Sequence, residues 1–426
     1  MSDARPAAFP SLPGSGWGRS IPCLLRWHAE DRKTRVLAIG LTFLLAALAG
    51  LFYAHLVVQV WHGTKPLSDF FALWSWSAMV HAAAHPVALY APAQVQAFMH
   101  AQDAAFKGNY PFAYPPSFLL MIWPLALLPR NLSYVIWVVT TLAFYLAAVG
   151  QRPWRRPIVL LLLLAPATGL TASAGQNGFL TAALIMGGCR LLGRRPVLAG
   201  VLFGLLSFKP QFGVLIPVAL LAARQWRAIA AAAVTVLATV GLSTAAFGWT
   251  MWAHWVSALI GLFQFVSGQT RLYHEMPTIA ANLHLLGVAP IAVQAAQIVS
   301  ALVAAVAVFL CWRRGPGRLA AAALQAGTFL ATPYAFFYDL PIVSNAVVEL
   351  VLERLEAREA FSITELLAVI GSVLLPIVML AAPGTIPWSG FVLPLLFVVI
   401  VRRALLRDRS SDTRGVRVGP VAQPAE

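Results

Sequence analysis

Ser68-Asp69-Phe70-Phe71-Ala72-Leu73-Trp74-Ser75-Trp76 opens, and Tyr110-Pro111-Phe112-Ala113-Tyr114-Pro115-Pro116 closes, the stretch on which the reading of this chain turns. Between them stand His81, His85, Pro86 and Tyr90. Nearly everything else reads as membrane helix, whereas this stretch sets a single carboxylate among aromatics and two histidines and leaves through a stiff Tyr-Pro-Pro exit. An acid beside a bilayer is costly unless it is paired or hydrated, which makes Asp69 a candidate functional group. The plainer alternative is that Asp69 caps a helix beginning at Phe70, since Asp is a favoured N-cap.

Working outward, hydrophobic residues make up 60% of the 426 and charged residues 11%, with a mean hydropathy of +0.77. A soluble domain is about half apolar and a quarter charged, so the composition specifies a polytopic membrane protein. Apolar runs of near-spanning length make it all-α. The net charge of +15 lies in short clusters between apolar runs. That pattern orients a membrane protein and argues against a nucleic-acid partner. Residues 1–35 read as a Pro/Gly-rich cytoplasmic tail with no cleaved signal peptide, 36–403 as the transmembrane domain, and 404–426 as a basic cytoplasmic tail.

Runs able to span lie at 36–60, 132–149, 158–174, 177–192, 228–247, 289–312, 319–333, 339–352, 361–381 and 388–401. The run at 197–223 is broken by Lys209-Pro210 and reads as a hairpin of two half-length helices. Arg152/Arg155/Arg156, Arg190/Arg194/Arg195, Arg224/Arg227, Arg313/Arg314/Arg318, Arg354/Arg358 and the Arg402-to-Arg417 group should all face the cytoplasm. One topology satisfies them: about twelve crossings, both termini inside, and a long first extracytoplasmic loop at 61–131. In it 115–129 dips into the membrane without crossing. Of the 30 basic residues only Lys65, Lys107, Arg130, Lys209 and Arg271 stay outside.

The same topology puts only Asp69, Asp103, Glu275 and Asp339 of the 15 acidic residues on the outer side. The polar breaks Gly175-Gln176-Asn177, Lys209-Pro210-Gln211, Tyr273-His274-Glu275 and Tyr338-Asp339 fall there as well. Helix breaks in a bilayer persist where they are buried in protein or line a wet cavity, so their convergence predicts one extracytoplasmic pocket. Cys23, Cys189 and Cys311 fall at or near the reducing side, which argues against disulfides. No phosphate-cradling Gly-rich loop with Lys-Ser/Thr occurs. There is no Asp-x-Asp and no dense histidine spacing, so neither a metal nor a cofactor is expected. His81 and His85 share a helix spacing but read as a loop-helix pair with partners of their own.

These residues resemble a known family. Asp69-Phe70 with Trp74, His85-Pro86 and Leu89-Tyr90 is similar to the first outer loop of the integral-membrane glycosyltransferases of family 87. Phe112-Ala113-Tyr114-Pro115-Pro116, Pro124-Leu125-Ala126-Leu127-Leu128-Pro129, Gly175-Gln176-Asn177, Ala199-Gly200 to Leu205 with Lys209-Pro210, and Thr332-Pro333-Tyr334 with Tyr338-Asp339-Leu340 extend the likeness over roughly 36–350. The region around His274 holds no close copy of the family's polar motif. The resemblance implies a GT-C-type fold in the cell inner (plasma) membrane. It also implies transfer of a sugar, often mannose, from a polyprenyl-phosphate donor to a lipid or glycan acceptor on the outer side, with the first-loop acid, here Asp69, as catalytic base.

The chemistry asks for the same groups. A lipid-phosphate sugar carries its own leaving group, so the transfer needs a base for the acceptor hydroxyl and positive or hydrogen-bonding groups for the departing phosphate. Lys209 is the first candidate for the phosphate, with Arg271 and His274 in reserve; against it stands a lysine snorkelling to the interface. Gln176 and Asn177 suit sugar hydroxyls or simply form a turn. Trp74, Trp76 and Tyr114 suit a sugar face or an interfacial belt, the belt being the safer reading. Asp339 reads as the next candidate acid, or as a helix cap. A membrane transporter or flippase is the alternative, because transporters also build sites from broken helices.

Overall fold

Trp226–Phe247 is a 22-residue helix, about 33 Å long and enough to cross a hydrocarbon core. Its Val234, Leu237 and Leu242 are exposed, as lipid-facing residues should be, and exposed Trp226 and Trp249 stand at its two ends. Those two are the interfacial aromatics of this element. The structure, a computed structural model, describes residues 47–48, 50–51, 53–55, 58, 69–82, 86–104, 106, 108–150, 155–267, 270–357, 359–381 and 386–412. Among them every regular element is helical. The tail at 1–35, most of the first expected span at 36–60, His85 and residues 413–426 lie outside that set. Tyr53, one of the described residues of the first span, donates its hydroxyl to the Leu163 carbonyl (3.0 Å).

Five described helices are long and apolar enough to cross: Arg130–Ala148, Trp226–Phe247, Pro290–Trp312, Ile363–Leu380 and Ser389–Leu406. A sixth span is possible in the pair Arg156–Leu164 and Pro166–Ala174, bent by 61°. The sequence suggested one continuous span at 158–174. The break has a local cause: Ala165 precedes Pro166 and is extended (φ −62°, ψ 130°), because the proline ring crowds the α conformation of the residue before it. The remaining apolar runs are shorter helices, among them Pro116–Leu127, Gly178–Leu191, Pro196–Phe208 and Pro210–Ala222. Arg318–Ala331 and Pro341–Ala357 are largely enclosed by protein. The described residues therefore supply five or six full-length spans where about twelve crossings were expected. The last helix also runs through the tail boundary expected at 403, ending at Asp412.

Proline sets many of the starts. Pro92, Pro116, Pro166, Pro196, Pro210 and Pro290 each stand in the first turn of a helix, where the missing N–H has no intrahelical partner to lose.

Glycine sets the packing of the broken run. A Cβ on Gly200 would come 2.3 Å from the Ala228 carbonyl oxygen, and one on Gly204 2.6 Å from Thr235 Cβ. The residue numbers rise together on both helices, so Pro196–Leu205 and Trp226–Phe247 run in the same direction at backbone contact. The chain between them must return, which makes Lys209-Pro210 the tip of a helical hairpin. Arg194 and Arg195 at its base thus lie at the opposite end from Lys209.

At that basic end several arginines do more than orient the chain. Arg318 pairs with Glu349 (3.1 Å) and Glu356 (2.8 Å). Arg354 pairs with Glu359 (2.6 Å) and Glu365, and Arg403 with Glu353 and Glu359 (2.8 Å for the latter). Glu349, Glu353 and Glu365 are buried, a placement a carboxylate tolerates only with such partners.

Candidate active site

Asp69 stands in the first turn of the helix Asp69–Ala82, so the helix begins at the acid and not at Phe70. Phe70, Phe71, Leu73, Trp76 and Met79 are all buried, the all-round apolar pattern of a helix enclosed by protein. It lies against the Pro116–Leu127 run through side chains that satisfy backbone groups. Ser77 donates to the Trp123 carbonyl (2.8 Å) and accepts from the Ala126 N–H (3.0 Å). Trp74 donates to the Leu128 carbonyl (3.1 Å), and the His81 ring meets the Trp123 carbonyl (2.9 Å). Trp76 is a core residue, edge-on to Phe112 (5.3 Å), so the interfacial-belt reading does not hold for it.

The extended stretch after Tyr110 has no helix to take up its carbonyls, and side chains from elsewhere take them. Trp76 donates to Tyr110 O (3.3 Å), Trp255 to Ala113 O (3.2 Å) and the Tyr90 hydroxyl to Tyr114 O (2.8 Å). These contacts fix where the Tyr110 and Tyr114 rings stand.

Opposite them, Pro166–Ala174 ends on Gly175, whose φ of +66° is left-handed. A Cβ there would also lie 2.6 Å from Phe70 Cβ, so glycine lets this turn close on the base of the Asp69 helix. The next residue, Gln176, accepts the Asn177 N–H on its Oε1 (3.2 Å). Asn177 donates from Nδ2 to the Tyr114 hydroxyl (3.0 Å), while its buried Oδ1 has no hydrogen-bond partner among the described residues.

Gly178 follows with no room at all: a Cβ would sit 1.7 Å from the Tyr338 carbonyl oxygen, which also accepts from Thr171 Oγ1 (3.0 Å). Gly178→Ala should therefore lower stability by about 1–3 kcal/mol and displace the Tyr338-Asp339 turn. Gly193→Ala, where a Cβ meets nothing within 4 Å, is the matched control in thermal unfolding. Equal melting temperatures for the two variants would refute this packing.

Lys209, at the hairpin tip, donates to Asp339 Oδ1 at 2.6 Å, with both side chains only 3% and 2% exposed. Its ammonium group lies 5.2 Å from the Phe212 ring and 5.1 Å from the Tyr338 ring, a favourable placement for a desolvated cation. Asp339 Oδ2 accepts the Phe336 N–H (3.3 Å). Lys209 thus does not snorkel, and Asp339 is an ion-pair partner besides stabilising the start of its turn.

Glu275 is tied to the same turn, its carbonyl accepting the Phe337 N–H (2.9 Å). Arg271 reaches Glu275 at 4.0 Å with its side chain 91% exposed. His274 lines a small cleft with Asn282, Met379, Trp388 and Ser389, whose lining does not include Asp69. Asp103 pairs with Arg130 (3.4 Å).

The structure therefore brings Asp69, Tyr114, Gln176, Asn177, Lys209 and Asp339 into one neighbourhood and leaves Arg271 and His274 at its margin. It adds Tyr110, Tyr334 and Tyr338: the last two, with Tyr114, feel the charges of both Asp69 and Asp339. All three stand in stretches quoted from the sequence, where none of them is assigned to the site. Burial pushes the Asp69 carboxyl up to about 7; the nearby Glu275 adds to this, and the Tyr110 and Gln176 hydrogen bonds oppose it. Burial also raises Glu275, against the pull of Arg271. A carboxyl balanced near neutrality among hydroxyl and amide groups is suited to taking a proton from an alcohol. Among the described residues no group of three or more His, Cys, Asp or Glu is placed to hold a metal ion.

The model of glycosyltransferase family 87 matches residues 112–333, just over half of the chain. It takes in Tyr114, Gln176, Asn177, Lys209, Arg271 and His274, begins after Asp69 and ends before Asp339. No curated protein and no solved structure matches.

Proposed function

From the premise that this chain belongs to glycosyltransferase family 87, we propose that it moves a hexose from a polyprenyl-phosphate donor to a lipid or envelope-glycan acceptor at the extracytoplasmic face, with Asp69 as general base. The observation that carries the proposal is the Asp69 carboxyl at the start of a protein-enclosed helix, on whose base the Gly175-Gln176-Asn177 turn closes, with burial pushing it up to about 7. The Gly175 turn packs on the base of its helix and Gly178 on the Tyr338 carbonyl, next to the Lys209–Asp339 pair; Lys209 is the tip of the hairpin whose base bears Arg194 and Arg195, and basic residues favour the cytoplasmic side.

In this mechanism Asp69 takes the proton of the acceptor hydroxyl as its oxygen attacks the anomeric carbon. The bond from that carbon to the phosphate oxygen breaks, and the polyprenyl phosphate departs with the electron pair. Attack from the face opposite the phosphate inverts the anomeric centre. Gln176, Asn177 and Tyr114 supply hydrogen bonds for sugar hydroxyls. Lys209 is spent on Asp339, so Arg271, as a cation, and His274, as a hydrogen-bonding group, are assigned to the phosphate.

The purified protein offered a panel of polyprenyl-phosphate hexoses and, in parallel, nucleotide-sugars should release polyprenyl phosphate and form the glycoside of inverted anomeric configuration. Turnover with nucleotide-sugars alone, or retention of configuration, would overturn the proposal.

A further inference from the structure

We propose that the cleft lined by His274, Asn282, Met379 and Trp388 binds the phosphate and first isoprene units of a polyprenyl phosphate that enters from the outer leaflet. The inference rests on the donor class proposed above and assigns where its lipid half sits.

The depth of the cleft follows from the helices that form it. Met379 stands near the end of Ile363–Ala381, Ser389 at the start of Ser389–Asp412, and Asn282 on the short helix Ile279–Leu285. At the basic end of the fold Arg403 pairs with Glu353, and Glu365 with Arg354. From there to the cleft each long helix rises about 21 Å, over about 14 residues. The cleft therefore stands most of a hydrocarbon core away from the basic, cytoplasmic end. Ile386 and Trp388 of its lining, and Leu380 beside Met379, are 47%, 41% and 38% exposed, an apolar mouth at the level where tryptophan meets lipid headgroups.

The lining is of two kinds. Leu285, Val378, Met379, Ile386 and Trp388 are apolar, whereas His274, Asn282 and Ser389 carry polar side chains. Two of the polar three are spent on each other. Asn282 donates from Nδ2 to Ser389 Oγ (2.9 Å), and its Oδ1 accepts from that hydroxyl (3.1 Å) and from the Gly390 N–H (3.0 Å). This clamp leaves the His274 imidazole to meet a ligand. A nucleotide gains nothing from the apolar lining, and a plain hydrocarbon gains nothing from the imidazole. A phosphate carried directly on a hydrocarbon chain uses both. The open space is about 300 Å³, the small end for a ligand pocket. It suits a phosphate and the first isoprene units, with the rest of the chain left in the bilayer.

The cleft is joined to the Asp69 site by backbone contacts. Glu275, next to His274, accepts the Phe337 N–H on its carbonyl (2.9 Å). Thr278, which caps the Asn282 helix, donates its hydroxyl to the Pro333 carbonyl (3.3 Å). Both contacts fall on the segment that carries Asp339 and its Lys209 partner and that packs on Gly178 through the Tyr338 carbonyl. A phosphate on His274 thus stands beside the turn that borders the site, with Arg271 on the same short helix, Thr270–His274.

The test needs neither the sugar nor turnover. Geranylgeranyl phosphate with a diazirine in its first isoprene unit is added to the full-length protein in lipid nanodiscs and irradiated. Mass spectrometry of the peptides should find the adduct on Val378, Met379 or Trp388. Excess unmodified geranylgeranyl phosphate should remove it. Geranylgeraniol, which lacks the phosphate, and dioleoyl phosphatidic acid, a two-chain phosphate lipid, should not. Met379→Ser and Trp388→Ser should each cut labelling about tenfold, and either carries the test if the other does not fold. Val234→Ser, on the exposed side of Trp226–Phe247, should leave labelling unchanged. Adducts spread over the lipid-facing helices, or displaced equally by phosphatidic acid, would overturn the site as an ordinary lipid contact. The donor panel, run on the same preparation, is read separately. No turnover with any polyprenyl-phosphate hexose removes the donor reading itself, whereas turnover with adducts elsewhere removes only the cleft.

Discussion

Asp69→Asn should cut turnover by about 10²-fold or more and, at pH 8, raise the melting temperature of the same protein. Asparagine keeps the size and accepts the Tyr110 and Gln176 hydrogen bonds, but it cannot take the acceptor's proton. The gain in stability follows from the direction of the pKa shift. Asp69 is raised from the usual carboxylate range to about 7, chiefly by burial, so the folded protein holds this proton more tightly than the unfolded chain does. Below about pH 4 the residue is neutral in both states and costs nothing. Its contribution is lost progressively as the pH rises through 7, where the folded protein must carry a desolvated charge. The variant should then melt with wild type near pH 4 and above it at pH 8. The same titration predicts an acidic limb near pH 7 in kcat/KM for wild type. Normal turnover of Asp69→Asn with an inactive Asp339→Asn would move the base to Asp339. Equal melting temperatures at both pH values would show that the site does not hold Asp69 against its charge.

Hydropathy and charge clusters made the helix positions legible. The runs expected at 132–149, 228–247 and 289–312 fall on Arg130–Ala148, Trp226–Phe247 and Pro290–Trp312. The hairpin at Lys209-Pro210 was legible for the same reason, because a charge beside a proline has no place inside a spanning helix. The break at Ala165-Pro166 carries no charge and hides in an apolar run, so composition alone passed over it. Trp226 and Trp249 behave as interfacial aromatics, but Trp76 is core, and nothing in residue type separates them; what differs is whether the helix faces lipid or protein.

The site was legible as a list of polar breaks and not as a set of partners. That Lys209 pairs with Asp339, 130 residues later, depends on which helix ends meet, and no local pattern encodes it.

The Lys209–Asp339 pair yields the second large effect. Both side chains are almost wholly buried and meet at 2.6 Å, so removing either partner strands the other as an uncompensated charge. Lys209→Met and Asp339→Leu should each cost about 3–5 kcal/mol, whereas the double substitution, which leaves no buried charge, should recover most of that stability. Lys209→Arg should not restore the wild type, because the ammonium is enclosed by the Phe212 and Tyr338 rings and a planar guanidinium needs more width and more acceptors. Thermal unfolding of the four variants in one detergent reads the coupling directly. Additive losses in the double variant would mean that the two residues stabilise the fold independently. Activity of the double variant then separates two roles for the lysine. If the pair only braces the hairpin tip against the Tyr338-Asp339 turn, the refolded double variant keeps using the lipid-phosphate donor. If Lys209 meets the donor phosphate during turnover, that variant is stable and inactive, and the phosphate assignment passes from Arg271 and His274 back to Lys209.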